Sequence, residues 1–129
     1  MTQRRAIFSG SAYEDRYGYA RAVVDGDRVH VSGTTGFDYA TMTISEDVAE
    51  QAEQCLRTIA AALAEAGASI ADVVRVRYLL PHGADFEACA PVLSRWFGDV
   101  RPAATMMVVG LLDPRMKIEI EAEARLQTG

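Results

Sequence analysis

Lysine is nearly missing from this chain. Of its thirteen cationic residues only Lys117 is a lysine; the other twelve are arginines. The net charge is −5, which argues against a dedicated nucleic-acid binder with a basic surface. Histidine is scarce too. His30 stands alone on a strand and His82 in a Pro-Gly turn, so neither has a partner for acid–base work or metal ligation. The two cysteines, Cys55 and Cys89, sit singly inside helix-like stretches. They read as reduced core residues of a cytosolic protein. No apolar run approaches the ~20 residues of a membrane span. The arginine-containing N-terminus has no apolar core of a signal peptide. Low-complexity segments, internal repeats and a phosphate-binding glycine motif are also lacking; Gly33-Thr34-Thr35-Gly36 has neither the lysine nor the length of a P-loop. No cofactor or metal is therefore expected.

What is present is an ordinary globular composition: 129 residues, 50% apolar and 24% charged, enough for one domain spanning 1–129 with its own core. The most informative stretch is Arg101 to Arg125. Its second half alternates strictly, with Lys117, Glu119, Glu121 and Glu123 on one strand face and Ile118, Ile120, Ala122 and Ala124 on the other. Three carboxylates in a row repel one another unless a cation, a proton or water faces them. That face is either solvated or the wall of a polar site.

Upstream, Arg5–Ser9 reads as a short edge strand and Gly10–Gly18 as a loop. Tyr19–Val24 and Arg28–Ser32 form a hairpin across Asp25-Gly26-Asp27. Ser32 to Gly36 then breaks the second strand, its glycines permitting close approach of a ligand. After a loop over Phe37–Thr43, Thr43 or Ser45 caps a helix through Ala66. Val48, Ala52, Cys55, Leu56, Ile59 and Leu63 are its buried stripe, and Gly67 its stop. Asp72 begins the next strand, with Val73–Leu80 rich in β-branched and large apolar residues. Asp85–Phe97 is a second helix in which Pro91 forces a kink or a later start. Ala104–Val109 and Met116–Leu126 are the last strands. The order is β-β-β-α-β-α-β-β, an α+β fold with two helices on one face of a single sheet. The other face is expected to expose apolar residues such as Val29, Val31, Ile118 and Ile120 or their neighbours, which an oligomer interface would cover.

Several short motifs, in this order and spacing, resemble the Rid family, also called the YjgF family. They are Tyr19, Val31-Ser32-Gly33, Asp72-Val73-Val74, Pro102-Ala103 and Lys117-Ile118-Glu119-Ile120-Glu121-Ala122. The resemblance implies a chorismate-mutase-like fold and a barrel-like homotrimer, with three pockets built at subunit boundaries. It implies hydrolysis of reactive enamines and imines to 2-keto acids and ammonia. It marks Glu119 as the residue positioning the hydrolytic water. Tyr19, Ser32, Gly33, Thr34, Ala104, Thr105 and Arg101 are the candidate substrate contacts. The chain departs from the family where the active deaminases carry a substrate-clamping arginine, for Ala104 stands there. Ala90 and Met106 replace two further pocket residues. A guanidinium fork clamps a carboxylate through two parallel hydrogen bonds, and alanine cannot. Either another arginine, from Arg101, Arg75 or Arg77, reaches in, or the ligand has no carboxylate there, or the site does not catalyse. Three classes follow: an enzyme on a small polar metabolite, a non-catalytic metabolite- or protein-binding trimer, and, least favoured by charge and histidine content, a ribonuclease.

Overall fold

The layering follows from the alternation in the last strand. Ile118, Ile120, Ala122 and Ala124 are buried, while the intervening glutamates are only half-buried. The computed structural model describes residues 4–127. The strands are β1 (Arg4–Ile7), β2 (Ala22–Asp25), β3 (Arg28–Thr35), β4 (Phe37–Asp38), β5 (Thr43–Ile44), β6 (Val73–Leu80), β7 (Ala103–Val108) and β8 (Glu119–Arg125). The helices are α1 (Ala12–Tyr17), α2 (Val48–Ala66) and α3 (Ala90–Phe97). Six strands form one sheet in the order β1-β2-β3-β8-β6-β7, and β4 pairs with β5 separately. Only β6 and β7 run parallel within the six. The apolar stripe of α2 packs on this sheet: Ala52, Cys55, Leu56, Ile59 and Leu63 are fully buried against Val29, Val31, Val76, Ile118 and Ile120. Both cysteines lie in that core, where burial pushes the Cys89 thiol up to about 11 and Cys55 well above its ordinary value.

The predicted order holds, with additions. Gly10–Gly18, expected as a loop, contains α1. Ser11 caps it by accepting from the Tyr13 amide (3.1 Å), and Gly18 ends it in the left-handed region at φ 74°. Strand β3 does not stop at Ser32 but continues to Thr35 through a bulge between Val31 and Thr34. The cap of α2 is Asp47, whose carboxylate accepts from the Glu50 amide at 2.9 Å. Thr43 is instead committed to β5, and Ser45 Oγ accepts from the Asp47 amide. Pro91 occupies the first turn of α3, where its missing N–H costs nothing; the segment before it, Gly83–Cys89, is 3₁₀.

The open face of the sheet corrects the expectation of an apolar surface there. Val29, Val31, Ile118 and Ile120 all belong to the helix-covered side. The side opposite carries His30, Arg75, Arg77, Glu119, Glu121 and Glu123. Of the large apolar side chains exposed among the described residues, five gather on β7 and the loop after it, at Met106, Met107, Val108, Val109 and Leu112, and the others, Phe8, Tyr17 and Val74, are scattered.

Gln51 is fully buried and gave no signal in the sequence beyond a polar residue beside the apolar stripe. Its amide donates to the carbonyls of Ser45 (2.7 Å) and Arg115 (2.9 Å), and its oxygen accepts from the Lys117 amide (2.9 Å). It thereby supplies the bonds that a strand ladder would have given the residues just before β8. Gly36 lies so close that a Cβ there would stand 2.5 Å from that of Gln51. Replacing Gln51 with leucine orphans two carbonyls and an amide. Gln51→Leu is expected to lower unfolding free energy by about 3 kcal/mol, read as a shift of the urea midpoint at unchanged slope.

Candidate functional site

Register on β8 assigns each glutamate its neighbours. Glu123 lies between His30 on β3 and Arg75 on β6. Glu121 lies beside Arg77, and Glu119 between Thr35 and Leu79. Arg77 Nη1 is 3.2 Å from Glu121 Oε1 and 3.9 Å from Glu123 Oε2, and His30 Nδ1 is 3.1 Å from Glu123 Oε1. Two of the three carboxylates are thus partnered. Glu119 makes no ion pair or hydrogen bond among the described residues. Burial raises its pKa, the charge of Glu121 raises it further, and Arg21 lowers it.

The β3 bulge makes room for that carboxylate. A Cβ at Gly33 would overlap Glu119 Oε2 and Cδ, so only glycine lets the side chain lie across the strand. Tyr19, Ser32, Gly33 and Glu119 share a cavity of about 500 Å³. Tyr13 and Tyr17 of α1 bound it on one side, and Leu112 and Asp113 on another. Arg115 hydrogen-bonds both oxygens of Asp113 (2.7 and 3.0 Å) and holds its carboxyl at about 2.

Behind the cavity stands a residue the sequence reading passed over. Arg21 is 1% exposed. Its Nη1 donates to the Gly33 carbonyl (2.8 Å) and to Thr34 Oγ1 (3.1 Å), and its Nη2 lies 3.5 Å from Tyr19 Oη. Its Nε lies 3.4 Å from Glu14 Oε2, close enough for charge pairing but without hydrogen-bond alignment. The guanidinium also stacks 4.5 Å from the centre of the Tyr39 ring. Glu14 in turn accepts from the Ser9 amide at 3.0 Å. The one available signal was a lone arginine in an otherwise apolar strand-like run, Tyr19–Val24.

The remaining candidates lie elsewhere. Thr34 is fully buried, pairs with Ile120 and donates to the Ser32 carbonyl, so its side chain does not reach the cavity. Ala104 pairs with Val76 and Arg101 precedes it. Both border a separate groove with Tyr78, Phe86, Leu93 and Met106. Thr105 faces the opposite way and accepts from Arg75. Arg75 and Arg77 are therefore committed on the open face. Arg101, in a left-handed conformation at φ 54°, donates through Nε to the Gly98 carbonyl at 3.1 Å. Among the described residues no three His, Cys, Asp or Glu side chains gather as a metal-ligand set, and no helix is long and apolar enough to cross a membrane.

Residues 10–126 match the protein family described as Endoribonuclease L-PSP. A crystal structure from Mycobacterium tuberculosis, described as a member of the YjgF/YER057c/UK114 family, superposes with a TM-score of 0.88. It shares 38% identity over 96% of this chain and 100% of that one. This chain is a member of the YjgF (Rid) family. An uncharacterized protein of Streptomyces coelicolor is 40% identical over 93% of this chain and 90% of its own length. The human 2-iminobutanoate/2-iminopropanoate deaminase is 31% identical over 94% of this chain and 89% of its own. The Rid family and the α+β sheet-and-helix fold expected from the sequence both stand.

The unpaired carboxylate has a thermodynamic signature. Glu119 holds its proton more tightly folded than unfolded. Stability is therefore lost as pH rises from the ordinary glutamate value through the raised folded one. Glu119→Gln is expected to raise the melting temperature at pH 8, with the gain fading as pH falls to the ordinary carboxylate range. A pH series of thermal melts on both proteins checks this.

Proposed function

We propose that this Rid protein binds and hydrolyses a small polar enamine- or imine-type metabolite in pockets completed between the subunits of a homotrimer. The observation that carries the reading is Glu119, a carboxylate without a partner, lying over Gly33 in a cavity it shares with Tyr19 and Ser32. In the proposed reaction Glu119 takes a proton from water as its oxygen adds to the carbon of the N-protonated C=N bond. The resulting carbinolamine is protonated on nitrogen by the same carboxyl group. The C–N bond then breaks, ammonia leaves, and the hydroxyl proton is lost as the carbonyl forms. An enamine first takes a proton on carbon to become the iminium ion that water attacks. Arg21 donates toward Tyr19 Oη, which leaves the Tyr19 proton free for the substrate or for the oxygen of the intermediate.

The clamp is what this chain lacks. Arg101, with Ala104, Thr105 and Ser32, stays among the proposed contacts, the first two reaching the pocket from a neighbouring copy. Because alanine offers a substrate carboxylate nothing, activity on 2-imino acids is proposed to be weak or absent. That same position supports the second reading, a non-catalytic metabolite-binding or protein-interaction trimer. Neither reading involves nucleic acid or membrane, and a cytoplasmic location fits both.

Restoring the cation should matter if the rest of the pocket is intact. Ala104→Arg is expected to raise hydrolysis of freshly generated 2-iminopropanoate about 10–100-fold, a gain of about 1.4–2.7 kcal/mol, and adding Glu119→Gln should erase the gain. A trimeric variant that gains nothing would favour the binding reading; wild-type turnover far above the spontaneous rate would mean another arginine clamps. Light scattering is expected to give three times the 14.0 kDa chain mass, and a stable monomer at micromolar concentration would refute the assembly.

A further inference from the structure

Given the proposal that the Glu119 cavity is the binding site, the charges around it specify a ligand class. Each nearby cation already has a partner. Arg21 faces Glu14, Arg115 faces Asp113, and Arg77 faces Glu121 and Glu123. Arg16 is exposed, lies 5.5 Å over the Tyr17 ring, and does not line the cavity. The residues that do line it include two carboxylates, Glu119 and Asp113, and no cation. Of the two, Glu119 is unpaired. Tyr13, Tyr17 and Tyr19 share the remaining wall with Ser32, Gly33 and Leu112, and guanidinium groups already lie 5.5 Å over the Tyr17 and Tyr19 rings. Aromatic π surface attracts cations, and a half-buried carboxylate is stabilised by one. A carboxylate ligand meets the reverse: repulsion from Glu119 with no donor fork among the residues of the same protomer that line the cavity to offset it. At residue 104, where a fork would be needed, the side chain is a methyl group.

We infer that the Glu119 cavity takes a positively charged, carboxylate-free nitrogen ligand: an iminium, amidinium or simple amine with its cationic nitrogen against Glu119 and its apolar part among the tyrosines. Discrimination against 2-imino acids is then a property of the whole cavity wall and not of one missing arginine. This separates two explanations of Ala104. In one the clamp has moved to Arg101 of a neighbouring copy; in the other the carboxylate has gone from the ligand.

Benzamidine, benzamide and benzoate test the inference because they share size and shape and differ in charge. Binding to the full-length protein would be followed by the amide resonance of Gly33 and by calorimetry. Benzamidinium is expected to bind at least roughly tenfold more tightly than benzamide, with benzoate weakest, and Glu119→Gln should remove the benzamidinium advantage. An advantage that survives Glu119→Gln would overturn the inference. So would tightest binding by benzoate, lost in Arg101→Ala; the Gly33 resonance would still respond, so the cavity would stand as the site while its ligand class was wrong. If no member of the series moves Gly33, the cavity itself is not the site, and the inference falls with it.

Discussion

A buried guanidinium organises this end of the molecule. Taking Arg21 out of water costs several kcal/mol, and the cost is offset only when its charge and its donors are met. They are met from three directions at once: Glu14 on α1, the Gly33 carbonyl and Thr34 hydroxyl in the β3 bulge, and the rings and hydroxyl of Tyr39 and Tyr19. The consequence runs outward from that point. A helix of six residues is far too short to persist alone, so α1 is held by its buried Glu14 rather than by its own propensity. Tyr13 and Tyr17 reach the cavity because α1 is there. The bulge is held at Gly33, the residue Glu119 crosses. Removing one partner of a buried pair typically costs about 3–5 kcal/mol, so the site is tied to the stability of the fold and not merely placed upon it.

The second organising fact is the order of side chains on β6. Its open-face residues are Arg75, Arg77 and Leu79, and antiparallel pairing sets them beside Glu123, Glu121 and Glu119 in turn. Cross-strand neighbours interact at roughly 0.2–1 kcal/mol, enough to order a row of charges but not to bury one. Arg77 reaches both Glu121 and Glu123, His30 meets Glu123 from β3, Arg75 turns to Thr105, and the leucine leaves Glu119 alone. Glu119 owes its unpaired state to this one-strand register. A shift by one residue would have turned every glutamate into the core, which the alternation of Ile118, Ile120, Ala122 and Ala124 forbids.

Periodic elements were legible in the sequence and non-periodic ones were not. The strand over Val73–Leu80 is legible because a β-branched run ending at Pro81 has no competing pattern; only its first residue differs, since Asp72, expected to open it, closes a 3₁₀ turn instead. The stripe and the Gly67 stop of α2 were equally plain. Helix α1 was invisible because Tyr-Glu-Asp-Arg-Tyr has no apolar stripe; its cause is tertiary, at Arg21. Ser32 to Gly36 looked like a break since glycine weakens a strand, yet one bulge absorbs the irregularity and the ladder resumes. The alternation of β8 is legible, but Ile118 and Ile120, expected on the open face, lie under α2. Period alone does not distinguish the two faces of a strand; burial does. At the site, spacing and family likeness brought Tyr19, Ser32, Gly33 and Glu119 together. They said nothing of Arg21, whose role depends on what folds over it.

Ala104 lies apart from Glu119 for a geometric reason. Glu119 belongs to the open face of the sheet, and Ala104, registered with Val76, to the side facing α3. No motion within a protomer short of refolding β7 brings residue 104 to Glu119, so any pocket using both needs a second chain. Strand β7 is suited to meeting one. It is the last strand of its sheet, its outer edge is unpaired among the described residues, and from Ala103 to Gly110 it carries no charge. Edge strands of monomers are normally guarded by lysine, proline or a bulge, because an unguarded edge invites association. Here Met106 and Val108 are more than half exposed, and Met107 and Val109 somewhat less. The apolar surface that the sequence places on a whole sheet face is thus concentrated in one uncharged edge, beside the groove that holds Ala104. Covering that edge with a neighbouring chain would bury the methionines and valines.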